Sequence, residues 1–425
     1  MPYVLGIDVG RTRGAAAVCR RTGSAFGQAE AVPIDRGSPW TPALLAISDG
    51  GEVLVGQAAR AWAAVEPQRV ARDFLPRVGD GVPVLLGGEL YPAETLAAAV
   101  VSWVADAVAA VEGRPAERIA VTHPPDWGSY RRGLLRGALH AAGMPGVLLL
   151  PTVVAAAEAA HERAAVPVGS AVALGLLGGR HIEHAVLYRA QASFELANHR
   201  PLVDADAGEY LDDVLGSLVR PDHGMDPAAF RLTCAQAKEL LSTAPEVRLN
   251  DEIVTRAAFD EAARPALATA VDDLGRLAAG VPADVLAGVV LAGGTAAVPL
   301  VAALAAGRFD SPVTVETDPA TAAARGAAIA ACPRLAPARF AAPGANLSAD
   351  ASHPGFRHAS PATGIANPGG AALVALEGRN AEIEESAGVR EGVDLPPPRP
   401  PVEISPLEPP ARRFALRPRR PGEQS

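Results

Sequence analysis

Two segments of the chain share one pattern, which is an apolar strand, a turn that contains glycine, and a second apolar strand. The first segment begins near residue 3 and turns at residues 8–12, and the second begins near residue 170 and turns at residues 175–180. One such turn is weak evidence for any function, because ordinary β-turns have the same composition. Their repetition predicts two lobes built on the same plan, which we assign to residues 1–168 and 169–333.

Short β-rich runs alternate with long helical stretches rich in alanine and leucine as far as residue 332. This alternation is typical of an α/β protein. The predicted strands are Tyr3–Asp8, Ala15–Cys19, Val53–Val55, Arg118–Val121, Val147–Leu150 and Val285–Ala292. The predicted helices are Pro92–Val111, Ser129–Ala142, Val153–Ala165, Cys234–Thr243 and Thr255–Ala279.

The composition changes after Cys332, and the last 93 residues hold 16 of the 39 prolines. A segment of this kind buries too little apolar surface to offset the entropy lost on ordering. We therefore expect residues 334–425 to form a disordered tail rich in proline and alanine. Five arginines between Arg412 and Arg420 form either a solvated end or a docking patch for an acidic partner.

Charge and cysteine usage exclude several classes of protein. The net charge of -9 argues against a nucleic-acid binder that works through a basic surface. The three cysteines are far apart and form no CxxC pair, which excludes a disulfide scaffold and a thiolate zinc site and fits a reducing cytoplasm.

No export or membrane signal is expected. The N-terminus lacks a basic stretch followed by an apolar core. The longest uncharged run, Val285–Gly307, is long enough to span a bilayer, but its Gly293-Gly294 pair and Pro299 favour a strand, a turn and a helix. The sequence therefore predicts a cytoplasmic protein with neither a membrane nor a nucleic acid as partner.

The first turn has the residues of a phosphate site. Asp8 ends a predicted strand and is followed by Gly10-Arg11-Thr12, whose backbone N–H groups could point at a phosphate chain. The Asp8 carboxylate would then orient water on a phosphate-bound Mg²⁺. The alternative is an ordinary hairpin with a surface aspartate.

Eight segments extend this observation along about 330 residues. They are GIDVGRTRGAAAV at 6–18, GQAARAWAAVEPQRVARDFLPRVG at 56–79, VTHPPDWGSYRR at 121–132, PTVVAAAEAAHE at 151–162, AGEYLDD at 207–213, IVTRAAFDE at 253–261, LAGGTAAVP at 291–299 and DPATAAARGAAI at 318–329. In this order they resemble the ATPase domain of the Hsp70 (DnaK-type) chaperones, within the actin-like ATPase superfamily. The order of all eight is far more specific than any one motif.

The resemblance implies a two-lobed actin-like ATPase fold, a duplicated RNase H-like fold, with a helical lid subdomain inserted at residues 225–280. It implies ATP or ADP as ligand, with Mg²⁺ held through phosphates and water and no direct protein ligand. Asp8 would be the catalytic group, and Pro124 with Arg132 would form the family's switch. The implied nucleotide contacts are Gly10, Arg11, Thr12, Gly178, Gly179, Glu209, Lys238, Ser242, Gly293, Gly294 and Asp318.

Lys238 is the single lysine among 38 basic residues. Its segment, CAQAKELLS at 234–242, looks like the family's helix whose lysine and serine hold the adenosine. Lys238 and Ser242 are one helical turn apart and so face the same side. The alternative is a surface lysine left on the helix by drift.

The chain also departs from the family at charged positions. Leu75 stands where the family has its catalytic lysine, and Leu150 stands where it has a glutamate. The second loop reads Gly175-Leu176-Leu177-Gly178-Gly179-Arg180, without the family's aspartate and threonine. Ile182 replaces a further aspartate, and Ala297 replaces the arginine that stacks on adenine.

Loss of one charge-stabilising group typically slows a reaction by about 10²- to 10³-fold. With several such groups replaced, we expect weak or absent ATP turnover. Arg180 either blocks the phosphate or contacts it.

Three functions compete at this point. The first is a chaperone-family nucleotide-binding module whose output passes through protein partners, and the second is a pseudo-ATPase scaffold that needs no nucleotide. The third is a filament-forming actin-like protein, which the Hsp70-like segment 225–280 disfavours. No counterpart of the family's peptide-binding domain is expected after Cys332.

Overall fold

The computed structural model describes residues 1–202, 207–220 and 225–333. The strands in these ranges are β1 Tyr3–Val9, β2 Arg13–Thr22, β3 Ala25–Phe26, β4 Glu30–Ala31, β5 Trp40–Pro42, β6 Leu45–Ile47, β7 Val53–Val55, β8 Val70–Ala71, β9 Val84–Leu86, β10 Glu89–Tyr91, β11 Arg118–His123, β12 Leu148–Pro151, β13 Ala171–Leu177, β14 Ile182–Arg189, β15 Phe194–Leu202, β16 Glu246–Leu249, β17 Glu252–Thr255, β18 Leu286–Ala292 and β19 Val313–Val315. The α-helices are α1 Gln57–Ala63, α2 Ala93–Glu112, α3 Ser129–Ala141, α4 Thr152–Arg163, α5 Gly208–Ser217, α6 Pro227–Leu241, α7 Arg256–Ala278, α8 Pro299–Arg308 and α9 Ala322–Ala331. Short 3-10 helices lie at Pro67–Arg69, Leu75–Arg77 and Gly294–Ala297.

The first predicted hairpin, β1 with β2, forms the centre of one sheet. The strand order is β12-β11-β1-β2-β3, and β4 and β5 also pair with β2. β1 is antiparallel to β2 and parallel to β11, which is in turn parallel to β12. Helices α2 and α3 contribute buried side chains to the main apolar core of this sheet.

The second predicted hairpin, β13 with β14, has the same place in another sheet. The strand order is β15-β14-β13-β18-β19, with an antiparallel pair on one side of β13 and parallel strands on the other. Each sheet therefore has a central strand with an antiparallel neighbour on one side and two parallel strands on the other. A mixed α/β fold and a repeated hairpin plan are confirmed, and the lobe boundary at 168 and 169 and the lid at 225–280 stay predictions.

Two helices each follow a strand of one sheet and pack against the other sheet. Helix α4 follows the last strand of the first sheet but packs on β13 and β15, whereas α9 follows the last strand of the second sheet but packs on β1 and β11. Small residues allow the close contacts. A Cβ atom on Gly326 of α9 would lie 1.6 Å from the carbonyl oxygen of Ala155 in α4. A Cβ atom on Gly6 of β1 would lie 2.1 Å from the backbone nitrogen of Ala328.

The predicted elements agree with the observed ones to within three residues, with one exception. Helix α6 begins at Pro227 rather than at Cys234. The Asp226 side chain accepts a hydrogen bond from the backbone N–H of Ala229, and proline occupies the first helical position. Both features favour a helix start. The uncharged run after Val285 forms β18, a glycine turn and α8, as predicted.

One helix of the described residues, Ala93–Glu112, has the length and apolar composition needed to cross a membrane. Eight of its side chains are buried in the core of the first sheet, which makes this weak evidence for a membrane segment. The predicted tail at 334–425, with its arginines between Arg412 and Arg420, lies outside the described residues.

Candidate functional site

The turns of the two hairpins are closed in the same way. In the first turn, residues 10–12, the backbone N–H of Gly10 donates to the carbonyl of Arg13 at 2.9 Å. In the second turn, residues 178–181, the N–H of Gly178 donates to the carbonyl of His181 at 3.0 Å. The second turn thus keeps the backbone geometry of the first, although it lacks the family's aspartate and threonine. Gly179 lies against the side chain of Thr12, and this contact joins the two turns.

The start of helix α5 fixes the second turn. The N–H of Gly208 donates to the carbonyl of Gly178 at 3.0 Å, and the N–H of Glu209 donates to that of Gly179 at 2.7 Å. The hydroxyl of Thr295 donates to the Gly178 carbonyl at 2.9 Å. The positive end of the α5 dipole therefore points at this turn.

A third turn, residues 293–294 after β18, lies beside the second. Gly293 has a φ of 85°, and a Cβ atom there would lie 2.3 Å from the carbonyl oxygen of Leu177. Both facts require glycine at this position. Gly294 is exposed, with open space where a Cβ atom would stand.

Asp318 is tied to the start of α9. Its carboxylate accepts a hydrogen bond from the hydroxyl of Thr321 at 2.7 Å. Its neighbour Pro319 accepts the N–H of Gly293 at 2.7 Å, which connects this segment to the third turn.

Lys238 points back toward the second turn. Its ammonium group donates to the carbonyl of Gly208 and forms an ion pair with Asp212 at 2.6 Å. The two side chains are only 13% and 7% exposed, so Lys238 does not lie on the surface, and its contact with nucleotide stays a prediction. Burial raises the pKa of Asp212, and the charge of Lys238 opposes that rise. Ser242 follows α6 as its C-terminal cap.

The charged side chains of the two turns meet at Asp73, which sequence reasoning missed. Arg11 donates two hydrogen bonds to the Asp73 carboxylate, at 2.8 and 2.7 Å. Arg180 lies 3.5 Å from the same carboxylate. Burial favours the neutral acid, but the hydrogen bonds and charge of Arg11, with the charge of Arg180, hold the pKa of Asp73 below its usual value.

Two further ion pairs involve arginines on or next to the turns. Arg180 also donates to Glu209 at 2.8 Å. Arg13 pairs with Glu239 of α6 and lies 3.8 Å above the Trp40 ring. The basic groups of the first and second turns are thus already paired with carboxylates.

Asp8 lies on β1 and is partly buried. It accepts a hydrogen bond from the Thr122 hydroxyl at 2.5 Å. Burial is the main reason why its pKa rises to about 6, and the charge of Glu183 adds to the rise, while the Thr122 bond and the charge of His181 oppose it. Glu183 is itself buried, with His181 at 3.3 Å.

The positions at which the chain departs from the family are apolar and packed. Leu75 belongs to the core of the first sheet, Leu150 packs beneath α9, and Ile182 belongs to the core of the second sheet. None of these three side chains is charged, so none can supply a charge to the turns. Ala297 is exposed at the end of its 3-10 helix.

The predicted switch residues, Pro124 and Arg132, lie in the part of the chain that the structure describes and share no hydrogen bond there. Pro124 follows β11 and accepts the N–H of Trp127 at 3.2 Å. Arg132 is exposed on α3 and donates to the carbonyl of Gly128 at 3.4 Å. Its role as a switch stays a prediction.

Three or more histidine, cysteine or carboxylate side chains are nowhere grouped to hold a metal ion in the described ranges. The arginines do suit an anion, because guanidinium groups bind phosphate and carboxylate through the same pair of N–H donors. They therefore fit a phosphate-bearing ligand, and the Mg²⁺ that such a ligand would carry stays a prediction.

Comparison with known proteins finds distant similarity to the DnaK-type chaperones, in agreement with the resemblance seen in the sequence. The chain is 25% identical over 227 residues to the chaperone protein DnaK of Thermotoga petrophila, which covers 53% of this chain and 37% of that protein. The DnaK of Thermotoga maritima gives the same values. The DnaK of Elusimicrobium minutum is 29% identical over 163 residues, 37% of this chain and 26% of the relative.

The chain is distantly similar to DnaK. It spans 37% or less of the length of these three relatives. No family model matches the chain.

Proposed function

We propose that this chain is an Hsp70-like nucleotide-binding module that holds ATP or ADP and acts through protein partners in the cytoplasm. One observation carries the proposal. The two hairpin turns, the start of α5 and the third turn come together, although they are separated by up to about 280 residues of sequence. In the sequence, these segments resemble those that form the nucleotide site of the Hsp70 family, and they occur in the same order.

Backbone groups supply much of the expected phosphate binding. Glycine turns and helix N-termini present N–H groups and a positive dipole to anions. Gly10, Thr12, Gly178 and Gly179 would lie along the phosphates. Arg11 and Arg180 would add positive charge from the two sides.

The remaining candidate residues have supporting roles. Lys238 and Ser242 on α6 would hold the adenosine, with Gly293 and Gly294 on its other side. Glu209 and Asp318 would close the site through the starts of α5 and α9. Asp8 would orient water on the Mg²⁺ that the phosphates bring.

We propose that hydrolysis is weak or absent. Phosphoryl transfer is catalysed by charged groups that position water and stabilise the developing charge. Leu75, Leu150 and Ile182 are packed in apolar cores and supply no such groups.

The actin-like, two-lobed arrangement is part of the same proposal. The shared strand order of the two sheets and the crossing of α4 and α9 support it. The lobes would be residues 1–168 and 169–333, with the lid at 225–280.

A second candidate is a scaffold that binds partners without nucleotide. The observation that favours it is the pairing of Arg11 and Arg180 with Asp73, which leaves these arginines engaged by the protein's own carboxylate. Nucleotide binding that leaves partner affinity unchanged would favour this candidate.

A thermal-shift titration of the full chain tests the proposal. ATP, ADP and AMP are added with and without Mg²⁺, up to millimolar concentration. A ligand at 100 times its Kd stabilises the folded state by about 2.7 kcal/mol, which raises the Tm by a few degrees. A Mg²⁺-dependent rise with ATP or ADP supports the module, and a flat response contradicts it. A phosphate-release assay on the same samples then tests the expected lack of turnover.

A further inference from the structure

We propose that Asp73 acts as an internal anion, so that a diphosphate or triphosphate group must displace its carboxylate from Arg11 and Arg180 in order to bind. This inference rests on the proposed function, because it places the phosphate chain between the two hairpin turns. It adds an autoinhibitory contact that the resemblance does not imply.

The two arginines surround the Asp73 carboxylate in the way that arginines surround a bound phosphate. Arg11 on the first turn holds Asp73 through two parallel hydrogen bonds. Arg180 on the second turn approaches the same carboxylate at 3.5 Å. A phosphate oxygen pair is bound by guanidinium groups in the same bidentate way. Asp73 therefore takes the donors that a phosphate at the turns would use.

The backbone holds Asp73 in a conformation that few residues adopt. Its φ is 48°, in the left-handed region. Aspartate and asparagine tolerate this region better than most residues. The segment between β8 and the Leu75–Arg77 helix thus directs a carboxylate toward the two turns at some conformational cost.

All three side chains of this ion-pair cluster are partly exposed to solvent. The side chains of Arg11, Asp73 and Arg180 are 29%, 26% and 38% exposed. A dissolved anion can therefore compete with Asp73 without unfolding of the core. Glu209, the second partner of Arg180, adds negative charge on the α5 side.

The test is isothermal titration of the full chain with pyrophosphate and, separately, with ADP and Mg²⁺. The variant Asp73→Asn removes the charge but keeps the shape and the tolerance of positive φ. The matched control is Asp272→Asn, which removes the same charge from an ion pair with Arg308 on α7 and α8. We expect Asp73→Asn to bind both ligands about tenfold more tightly than wild type, within the usual range of coupling energies, and Asp272→Asn to match wild type.

The outcomes separate the inference from the proposed function. Tighter pyrophosphate binding by Asp73→Asn, with no ADP binding by any protein, supports the internal anion and contradicts the nucleotide module. Equal ADP affinity in wild type and Asp73→Asn supports the module and overturns the internal anion. No binding of either ligand to any protein overturns both.

A second pair of variants covers the case in which Asp73→Asn fails to fold. Asp73→Gly also removes the carboxylate, and glycine adopts positive φ without strain. It should bind pyrophosphate more tightly than wild type. Arg180→Gln should bind it more weakly, because a cation of the site is lost. Unchanged affinity in both variants would overturn the inference.

Discussion

A Cβ atom on Gly179 would lie 2.6 Å from the Thr12 hydroxyl oxygen, so the two hairpin turns of this protein are in direct contact. Threonine is branched at Cβ and cannot swing far from the contact. We expect Gly179→Ala to push the turns apart and to destabilise the folded state by about 1–3 kcal/mol, the usual cost of overpacking. Thermal unfolding measures this as a Tm lower by a few degrees.

Gly294→Ala is the control for that substitution, because a Cβ atom at Gly294 meets nothing within 4 Å. It should leave the Tm within about a degree of wild type. A Gly179→Ala variant as stable as Gly294→Ala would contradict the contact between the turns.

The crossing of α4 and α9 makes a second prediction, again with two glycines. Gly326→Ala places a Cβ atom 1.6 Å from the Ala155 carbonyl oxygen, so the helices must separate, and we expect a loss of several kcal/mol. Gly137 is exposed within α3, with no atom near its Cβ position. Gly137→Ala should therefore stabilise the protein by about 0.5–1 kcal/mol through helix propensity. Chemical denaturation that ranks the two variants in the opposite order would contradict the helix packing.

The pair of Lys238 and Asp212 makes a third prediction. Lys238→Met leaves a mostly buried carboxylate without its cation, and breaking a buried pair on one side typically costs about 3–5 kcal/mol. Adding Asp212→Asn to this variant removes the unpaired charge and should recover a large part of the loss. A double-mutant cycle on unfolding free energies measures the coupling. Strictly additive effects would show that the two side chains do not stabilise each other.

The raised pKa of Asp8 predicts how the stability of the folded state depends on pH. The folded protein holds the Asp8 proton up to a pKa of about 6, against 3.8 for an ordinary aspartate side chain. Between these values the folded state binds more protons than the unfolded state, so Asp8 lowers stability as pH rises through this range. The loss is at most about 3 kcal/mol. Glu183 strengthens the effect and His181 weakens it.

Asp8→Asn removes this titration but can still accept the Thr122 hydrogen bond. The Tm difference between Asp8→Asn and wild type should be small near pH 4 and grow to a plateau above pH 6. Melting curves at half-unit steps from pH 4 to 8 measure it. A difference that stays constant over this range would mean that Asp8 titrates normally.

Much of the fold could be predicted because it depends on local patterns. Apolar strands, alanine-rich helices and glycine turns are all visible in the sequence, and most of their bounds agree with the structure to within two residues. Helix α6 begins seven residues before the predicted start at Cys234, and its start depends on Asp226 and Pro227. A cap and a proline are signals that sequence reasoning could have used.

The site was predictable only in part. The glycines of the turns belong to recognisable motifs, and Lys238 is the single lysine of the sequence. Asp73 carries no such signal. Its importance comes from two arginines that are 62 and 107 positions away in the chain. Contacts of that range depend on how the sheets are placed, which no local pattern records. The ion pair of Arg13 with Glu239 was missed for the same reason.

The measurement that tests the central claim most directly is hydrogen exchange of the full chain with and without saturating ADP and Mg²⁺. Our account predicts slower exchange at residues 9–13, 177–182, 207–212 and 292–296, with little change at the α3 surface around Gly137. Protection confined to other segments, or exchange unchanged at millimolar ADP, would contradict the claim that the three turns form one nucleotide site.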